Sequence, residues 1–485
     1  IPQYCEEAGC PEEQVREAAR VIAQADSVAL FEDLGVQMNR NSTLVSYLHY
    51  LIAFGTGNYG RKGSMYPVSS LQQILQAGPD KGETAPVTGT KIINGLVACN
   101  RIPDEILTDH PGRLRGAFVE AANPVHSLAD SQRMREAFEA LDFLVVVDVA
   151  MSETAELADY VLPVATQFEK AEATFFNFEF PKNYFHLRTA LMDAPEDLFS
   201  EPELHARLAE AFGTLDPTNV DALASAWEEG REAFRTKFFE LVGSDPGFMG
   251  SAPAALYRAI GDKLPAGRAE GAALWAIAQI AAQKIPDSIR RAGIDGPNLG
   301  DALFDAIIAS DRGLVFAVDE WGESLGKIGR PGGRIDFAVP ELFEALDGLA
   351  TRARMPSDPD FPMVLSAGER RSFTANTIVR NPAWRRKGAE GALTISPLDA
   401  ERLGLTDGGR ARLSTRRGSA EVSVEVSDRM QAGHCSLPNG TGLSHAGADG
   451  HVGGIAPNEL TASEDCDELA GTPWHKSTAA RVEAL

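Results

Sequence analysis

The feature that most constrains the fold is an alternation of short apolar strands and helices in the first half of the chain. Arg115 to Val119 is a short strand candidate, Ser131 to Ala140 has helical spacing, and Phe143 to Val147 reads FLVVV. A helix is predicted over 152–158, followed by a strand at Tyr160 to Pro163. Continuous apolar strands are typical of parallel sheets that are buried on both faces. The stretch therefore predicts an α/β domain with a parallel, dinucleotide-binding-like sheet.

The sequence before this stretch predicts the same alternation. Pro11-Glu12-Glu13 opens a helix, because proline and acidic residues favour a helix N-terminus. Ser27 to Phe31 is then predicted as a buried strand, and residues 43–54 as a second helix. The turn Gly55 to Gly63 follows that helix.

The second half of the chain changes character twice. Residues from about 200 to 350 are rich in Ala, Glu, Leu and Arg and predict a helical insertion. Beyond the Asp- and Pro-rich joint at 358–362 the pattern favours strands, with a small, partly closed β-barrel as the expected result. Its predicted strands are 363–366, 393–395, 411–415 and 421–426. We expect three domains: 1–65 as the end of an α/β domain begun upstream, 66–350 as the α/β domain with its helical insertion, and 351–485 as the barrel.

Composition narrows the choice of partners. The 45 Lys and Arg stand against 69 Asp and Glu, which gives a net charge of −24. Binding to a nucleic-acid duplex needs clustered positive charge, so nucleic acid is not an expected partner. No apolar run reaches the ~20 residues of a membrane span. The chain begins with Ile1, from which we expect the true N-terminus to lie upstream.

The cysteines do not form a recognisable site. None of them has the spacing of a zinc or iron–sulfur ligand set. Reduced, structural thiols in a cytoplasmic protein are the expectation. The five residues are Cys5, Cys10, Cys99, Cys435 and Cys466.

Two polar segments follow predicted strands of the α/β domain. In open α/β sheets, ligands bind beyond the carboxyl ends of the strands. Asn123-Pro124-Val125-His126 follows the first strand and could offer an amide, although Asn-Pro is also an ordinary turn dipeptide. Asp148 follows the second strand and could accept hydrogen bonds from a ribose or a guanine edge, while Ser152 resembles a helix cap. Solvation and capping alone would also explain these two residues.

A third segment is basic and rich in hydroxyl groups. It follows the predicted strand at 363–366, in a protein that is otherwise acidic. Guanidinium and hydroxyl groups suit pyrophosphate and pterin oxygens, and a solvated loop is the alternative. Its polar members are Arg370, Arg371, Ser372, Thr374, Asn376 and Thr377.

Two long stretches carry a family resemblance. LDFLVVVDVAMSETAELADYVLPVATQFEKAEATFFN, at 141–177, resembles the molybdopterin oxidoreductase family, which includes formate dehydrogenases, nitrate reductases and dimethyl sulfoxide reductase. ISPLDAERLGLTDGGRARLSTRRGS, at 395–419, is similar to that family's dinucleotide-binding barrel. Asn458-Glu459-Leu460-Thr461 and Lys476 also fit the family's closing pattern.

The resemblance implies two molybdopterin guanine dinucleotides that hold one molybdenum or tungsten atom, with two-electron chemistry on a small substrate such as formate or an oxyanion. The resemblance also implies that one guanosine and phosphate pocket is lined by Asn123, Pro124, Asp148 and Ser152, with His126 beside it. The basic segment 370–377, Asn458 and Lys476 hold the other dinucleotide or the pterins. No catalytic residue and no protein ligand to the metal is assigned.

The chain also departs from the family pattern. It has no four-cysteine iron–sulfur motif and no residue in the context of the metal ligand. Ser64-Met65-Tyr66-Pro67-Val68 stands where the family often has glycines and Asn-Asn. We therefore expect the iron–sulfur cluster and the metal ligand on an upstream N-terminal segment, an unidentified electron-transfer partner, and no activity from these residues alone.

Two other functions remain open. One is a non-catalytic scaffold related to the large iron–sulfur subunit of NADH–quinone oxidoreductase. The other is a nicotinamide-dependent dehydrogenase, because Gly55-Thr56-Gly57-Asn58-Tyr59-Gly60 has the Gly-x-Gly-x-x-Gly spacing and Asp80 follows it. The nicotinamide motif requires a strand before the glycines and a helix after them, whereas here the segment before them is predicted to be helical.

Overall fold

The chain forms two units, each made of several separate segments. The computed structural model describes residues 1–72, 81–175, 177, 179–328, 334–349, 358–369, 391–442 and 453–485. Unit 1 comprises residues 1–30, 52–76 and 163–335. Unit 2 comprises residues 31–51, 77–162 and 336–485, so it contains both the predicted parallel sheet and the predicted barrel.

Helices dominate the region between the sheet and the barrel, as the composition predicts. Within the described residues, α1 to α7 precede or flank the sheet, α8 to α14 form the helical region, and α15 and α16 accompany the barrel. Their bounds are α1 Pro2–Ala8, α2 Glu12–Gln24, α3 Leu34–Gln37, α4 Ser42–Gly55, α5 Ile102–Leu107, α6 Pro124–Ser127, α7 Ser131–Glu139, α8 Glu201–Ala211, α9 Pro217–Glu229, α10 Arg231–Ser244, α11 Phe248–Ile260, α12 Leu274–Lys284, α13 Pro286–Arg291, α14 Leu299–Ala309, α15 Pro340–Gly348 and α16 Pro397–Leu403.

The sheet of unit 2 confirms the strands predicted from the apolar runs. Strands β1 (Gly116–Glu120), β2 (Phe143–Asp148) and β3 (Tyr160–Pro163) lie in the order β1-β2-β3. β1 and β2 are parallel, with Gly116 opposite Phe143 and Glu120 opposite Val147. Because the two strands run in the same direction, their carboxyl ends lie at the same edge of the sheet.

One face of this sheet carries its core. Leu144 and Val146 of β2 are almost fully buried against α7, whose apolar residues Met134, Ala137 and Phe138 are buried as well. This is the packing expected for a parallel strand covered by a helix. It fixes the position of the turns that follow β1 and β2.

The C-terminal strands close into a barrel. The strands are β7 (Met363–Glu369), β8 (Leu393–Ile395), β9 (Arg410–Thr415), β10 (Ser419–Val426), β11 (His434–Pro438) and β12 (Thr478–Ala484). They follow the closed order β10-β8-β11-β7-β12-β9, whereas the sequence predicted a barrel that is only partly closed. Closure depends on β12, which pairs with both β7 and β9 and which the sequence pattern did not single out.

Unit 1 holds the helical region and a second sheet. Strands β4 (Glu172–Thr174), β5 (Lys182–Arg188) and β6 (Leu314–Val318) form this sheet in the order β4-β5-β6. The prediction of a mostly helical region with loops for 200–350 therefore missed β6, which is antiparallel to β5.

Two local predictions were wrong. Residues 27–31 form no strand, and Phe31 is 86% exposed, because the apolar run has no neighbouring strand or core to pair with. The helix predicted over 152–158 is only a 3-10 turn at Ala155–Leu157, since side chains from a neighbouring turn occupy the backbone groups before it. No helix in the described part of the chain is long and apolar enough to cross a membrane.

The glycine segment does not form a nicotinamide site. Gly55 is the last residue of α4, so a helix and not a strand precedes the glycines. The described residues after them, 61–72, contain no helix. The strand–turn–helix unit that positions a dinucleotide phosphate is therefore missing at this segment.

Candidate cofactor site

The turn after β1 is built around the side chain of Asn123. Its Oδ1 accepts hydrogen bonds from the Thr154 backbone N–H (3.1 Å) and from Thr154 Oγ1 (2.8 Å). Its Nδ2 donates to Glu153 Oε2 at 2.6 Å. Glu153 and Thr154 follow β2 and are buried, so Asn123 ties the turns after the two parallel strands together. We call residues 121–127 and 148–155 the strand-end turns.

The other predicted residues of the strand-end turns also bond inward. Pro124 begins the four-residue helix α6, and the buried His126 lies within it. Asp148 Oδ1 accepts from the N–H groups of Val149 (2.7 Å) and Ala150 (3.2 Å). Ser152 Oγ accepts from the Ala155 N–H at 3.3 Å, which is a capping bond of the kind the sequence suggested.

Asn458 joins the strand-end turns to the segment that precedes β12. Its Nδ2 donates to the carbonyl oxygen of His126 at 2.8 Å, and its own exposure is 4%. Thr461 Oγ1 lies within hydrogen-bond distance of Asn458 Oδ1 (3.2 Å) and accepts from the Asp130 N–H (3.4 Å). Arg417 of the turn after β9 forms an ion pair with Asp130 at 2.6 Å. The sheet and the barrel of unit 2 are therefore connected by a buried polar chain.

Lys476 lies at one end of the barrel. Its Nζ donates to the carbonyl oxygens of Ala367 and Gly368, both at 2.9 Å, at the end of β7. β11 is parallel to β7 and therefore ends at the same side, whereas β8 and β12 are antiparallel to these strands and begin there. We call this end the barrel mouth and define it by residues 367–369, 391, 438–442 and 474–477.

Close packing at the barrel mouth depends on a glycine. Gly391 precedes β8 with a φ of +65°, and a Cβ placed on it would lie 2.7 Å from Cγ of Pro438 at the end of β11. A side chain at this position would therefore both strain the backbone and clash with β11. The predicted basic segment Arg370, Arg371, Ser372, Thr374, Asn376 and Thr377 directly follows β7 in sequence, but it lies outside the described residues.

Two buried ring nitrogens at the barrel mouth have no hydrogen-bond partner within the described part of the chain. They are Nε1 of Trp474 and Nε2 of His475, in the two residues before Lys476. Burial lowers the pKa of His475 to about 4, and the neighbouring Lys476 charge acts in the same direction, so the imidazole is neutral at pH 7. Sequence reasoning missed both residues, because neither is part of a motif and their burial depends on the closed barrel.

The described residues contain no group of three or more His, Cys, Asp or Glu side chains that could hold a metal ion. All five cysteines are unpaired thiols. Burial raises the pKa of the Cys435 thiol to about 12, with a smaller contribution from Asp399, so this thiol stays protonated at pH 7.

Comparison with known proteins finds two family models that match separate parts of the chain. Residues 35–195 match the family model described as molybdopterin oxidoreductase. Residues 363–479 match the model described as molydopterin dinucleotide binding domain, which covers the barrel mouth with His475 and Lys476.

Curated relatives and a solved structure agree with these matches. The chain is 22% identical over 505 residues to the F420-dependent formate dehydrogenase 1 subunit alpha of Methanococcus maripaludis, covering 100% of this chain and 62% of the relative. It is 24% identical to formate dehydrogenase H of Escherichia coli, covering 98% of this chain and 58% of the relative. The chain thus spans about three fifths of the length of these relatives.

The fold resembles acetylene hydratase from Pelobacter acetylenicus, with a TM-score of 0.64 at 15% identity, covering 98% of this chain and 63% of the other. This likeness concerns the fold alone. Together with the two family models and the formate dehydrogenase relatives, it leads to one conclusion: the chain belongs to the molybdopterin oxidoreductase family.

Proposed function

We propose that this chain is the cofactor-binding part of an oxidoreductase that carries a bis-molybdopterin guanine dinucleotide with molybdenum or tungsten. Its reaction is a two-electron redox step on a small substrate such as formate or an oxyanion. The observation that carries the proposal is the direct bond from Asn458 to the His126 carbonyl, because it joins the two parts of the chain that match the two family models.

The barrel mouth fits such a cofactor. Two buried ring nitrogens there lack partners among the described residues, which is uncommon in folded proteins unless a ligand or water completes the bond. The charge of Lys476 lies beside them and suits the phosphate or the pterin oxygens of a dinucleotide. By the family resemblance, the basic segment 370–377, which follows β7 in sequence, adds guanidinium and hydroxyl groups to the contacts of the cofactor.

We assign the strand-end turns a different role from that of the barrel mouth. Asp148 offers a carboxylate to a guanine edge, which presents adjacent N–H donors. Asn123 and Ser152 use their polar atoms on neighbouring backbone and side-chain groups, so we assign them to shaping the turn rather than to gripping the ligand. His126 and Asn458 hold the two parts in register.

The bound cofactor would supply the two-electron chemistry, and this chain would bind, orient and shield it. Lys476 is fixed by two carbonyl groups, so its charge is held in place before any ligand arrives. We propose the small substrate, the molybdenum or tungsten atom and a separate electron-transfer partner for the complete protein, not for these residues alone.

Metal and nucleotide analysis of the complete protein tests the proposal. We expect one molybdenum or tungsten atom per chain and two guanosine nucleotides released on acid denaturation. A protein that is fully folded but contains neither metal nor guanosine nucleotide would instead support the non-catalytic scaffold. The saturation of Asn123 and Ser152 by internal bonds is the observation that favours this second candidate.

A further inference from the structure

His475 is held rigidly at the barrel mouth by its own backbone. Its carbonyl oxygen accepts a hydrogen bond from the Ala367 N–H at 2.7 Å, near the end of β7. The next residue, Lys476, is fixed through Nζ to Ala367 and Gly368 and through its backbone N–H to Met38 (3.0 Å). The imidazole therefore cannot move into solvent without breaking contacts on both sides of it.

The ring is buried while one of its polar atoms is unsatisfied. His475 is 8% exposed, and Nε2 finds no donor or acceptor within the described residues. A buried histidine with a purely structural role normally has its ring nitrogens bonded to protein groups. The position, next to a fixed lysine at the barrel mouth, is one where a bound ligand could complete the bond.

The electrostatics select the kind of partner. Burial lowers the pKa of this histidine to about 4, so the ring is neutral at pH 7 and can donate or accept through Nε2 according to its tautomer. A phosphate oxygen would favour the charged Lys476 over a neutral imidazole. The ring edge of a pterin has N–H donors beside carbonyl and ring-nitrogen acceptors, so it can satisfy either tautomer.

We propose that His475 is a further positioning residue for the cofactor, with Nε2 hydrogen-bonded to the ring edge of a pterin at the barrel mouth. This inference rests on the proposed function. In this role the His475 ring orients the pterin, while the neighbouring Lys476 supplies the positive charge.

The test compares His475→Phe and His475→Gln with the wild-type protein, both with the cofactor bound and without it. Phe keeps the volume of the ring and removes the polar atoms, whereas the amide of Gln can restore one hydrogen bond. In the complete protein loaded with cofactor, we expect His475→Phe to lose pterin about tenfold faster, as measured by the fluorescence of released, oxidised pterin, since one hydrogen bond to a ligand is worth about one order of magnitude. His475→Gln should recover part of this loss.

The cofactor-free protein supplies the readout that separates this role from a structural one. Because Nε2 has no partner among the described residues, His475→Phe should leave the thermal midpoint unchanged or slightly raised. A lower midpoint, or failure of the cofactor-free variant to fold, would overturn the inference, because it would show that the ring stabilises the protein itself.

His434→Phe is the matched control. His434 begins β11, so it lies in the same barrel at the end opposite the mouth. We expect this variant to keep the wild-type rate of pterin loss. Equal rates for His475→Phe and the wild type would overturn the inference, whereas a wild-type protein without pterin would overturn the proposed function itself.

Discussion

Asn123 in the strand-end turns and the two rings at the barrel mouth differ in how their buried polar atoms are satisfied. In the strand-end turns, both polar atoms of Asn123 are bonded to protein groups, and the buried Thr154 donates two hydrogen bonds to it. At the barrel mouth, the ring nitrogens of Trp474 and His475 have no partner within the described residues. Protein groups therefore satisfy the amide of Asn123, whereas the described residues do not satisfy these two ring nitrogens.

This difference indicates which region gains more from a ligand. A buried polar group without a partner costs about 1–3 kcal/mol, and a ligand that bonds to it recovers that free energy. The amide of Asn123 offers no such gain, because both of its polar atoms are already bonded to protein groups. We therefore expect the barrel mouth to contribute more of the free energy of cofactor binding. The strand-end turns should mainly determine the shape of the site.

The largest expected effect is on the strand-end turns. Asn123→Ala removes an acceptor from Thr154 and a donor from the buried Glu153, so we expect a loss of about 3 kcal/mol in the free energy of unfolding. Urea unfolding at pH 7 measures this loss. Gln132→Ala, on the exposed face of α7, is the control and should cost far less. A loss below about 1 kcal/mol for Asn123→Ala would show that the bonds of its amide do not stabilise the strand-end turns.

The next effect concerns the end of the barrel opposite the mouth, where the polar groups are satisfied. Burial alone would raise the pKa of Asp399, but hydrogen bonds from Ser396 and the Gly433 N–H, with the charge of Arg402, lower the pKa below its ordinary value. An acid with a lowered folded pKa stabilises the protein above its unfolded pKa, about 3.9, and loses that contribution as the pH falls further.

Asp399→Asn should therefore cost about 2 kcal/mol at pH 7 and less at pH 3. Urea unfolding of both proteins at the two pH values checks this. Asp428→Asn, at an exposed position, serves as the control and should change little at either pH. A difference between wild type and Asp399→Asn that stays constant from pH 7 to pH 3 would contradict the assignment.

A smaller loss is expected where the sheet and the barrel of unit 2 are joined. Asn458→Ala removes the bond to the His126 carbonyl and should cost about 1.5 kcal/mol. Hydrogen exchange should show the extra opening in α6 and around Thr461, because both depend on Asn458. Glu459→Ala, at the exposed neighbouring position, should leave the exchange of these amides unchanged.

The sequence predicted the sheet well because a continuous apolar run leaves a local signature. FLVVV at 143–147 is such a run, and the structure places β2 there, although Phe143 is 50% exposed and the sheet is not buried on both faces as predicted. The same reasoning failed for residues 27–31, which have a similar composition but no partner strand. A strand forms only where a neighbouring strand can bond to its backbone. Local composition does not reveal whether such a neighbour is present.

The candidate site was predictable only in part, for a related reason. Asn123, Asp148 and Ser152 follow strands directly, so the position of a strand end also gives their position. His475 and the ring nitrogen of Trp474 become buried only when β12 closes the barrel against β7 and β9. That contact joins residues far apart in sequence, and no spacing near residue 475 reveals it.

The smallest expected effect on stability tests whether Asp148 binds the cofactor or only shapes the turn after β2. Asp148→Asn retains an Oδ1 that can accept from the Val149 and Ala150 N–H groups, so we expect a change of less than about 0.5 kcal/mol in the free energy of unfolding. The carboxylate charge is lost, however, and a guanine edge bonded to it would lose its preferred acceptor. The complete protein should then retain fewer guanosine nucleotides per chain, measured after acid denaturation. Unchanged retention would place Asp148 with Asn123 among the residues that shape the turn, and the difference between the two regions would become sharper.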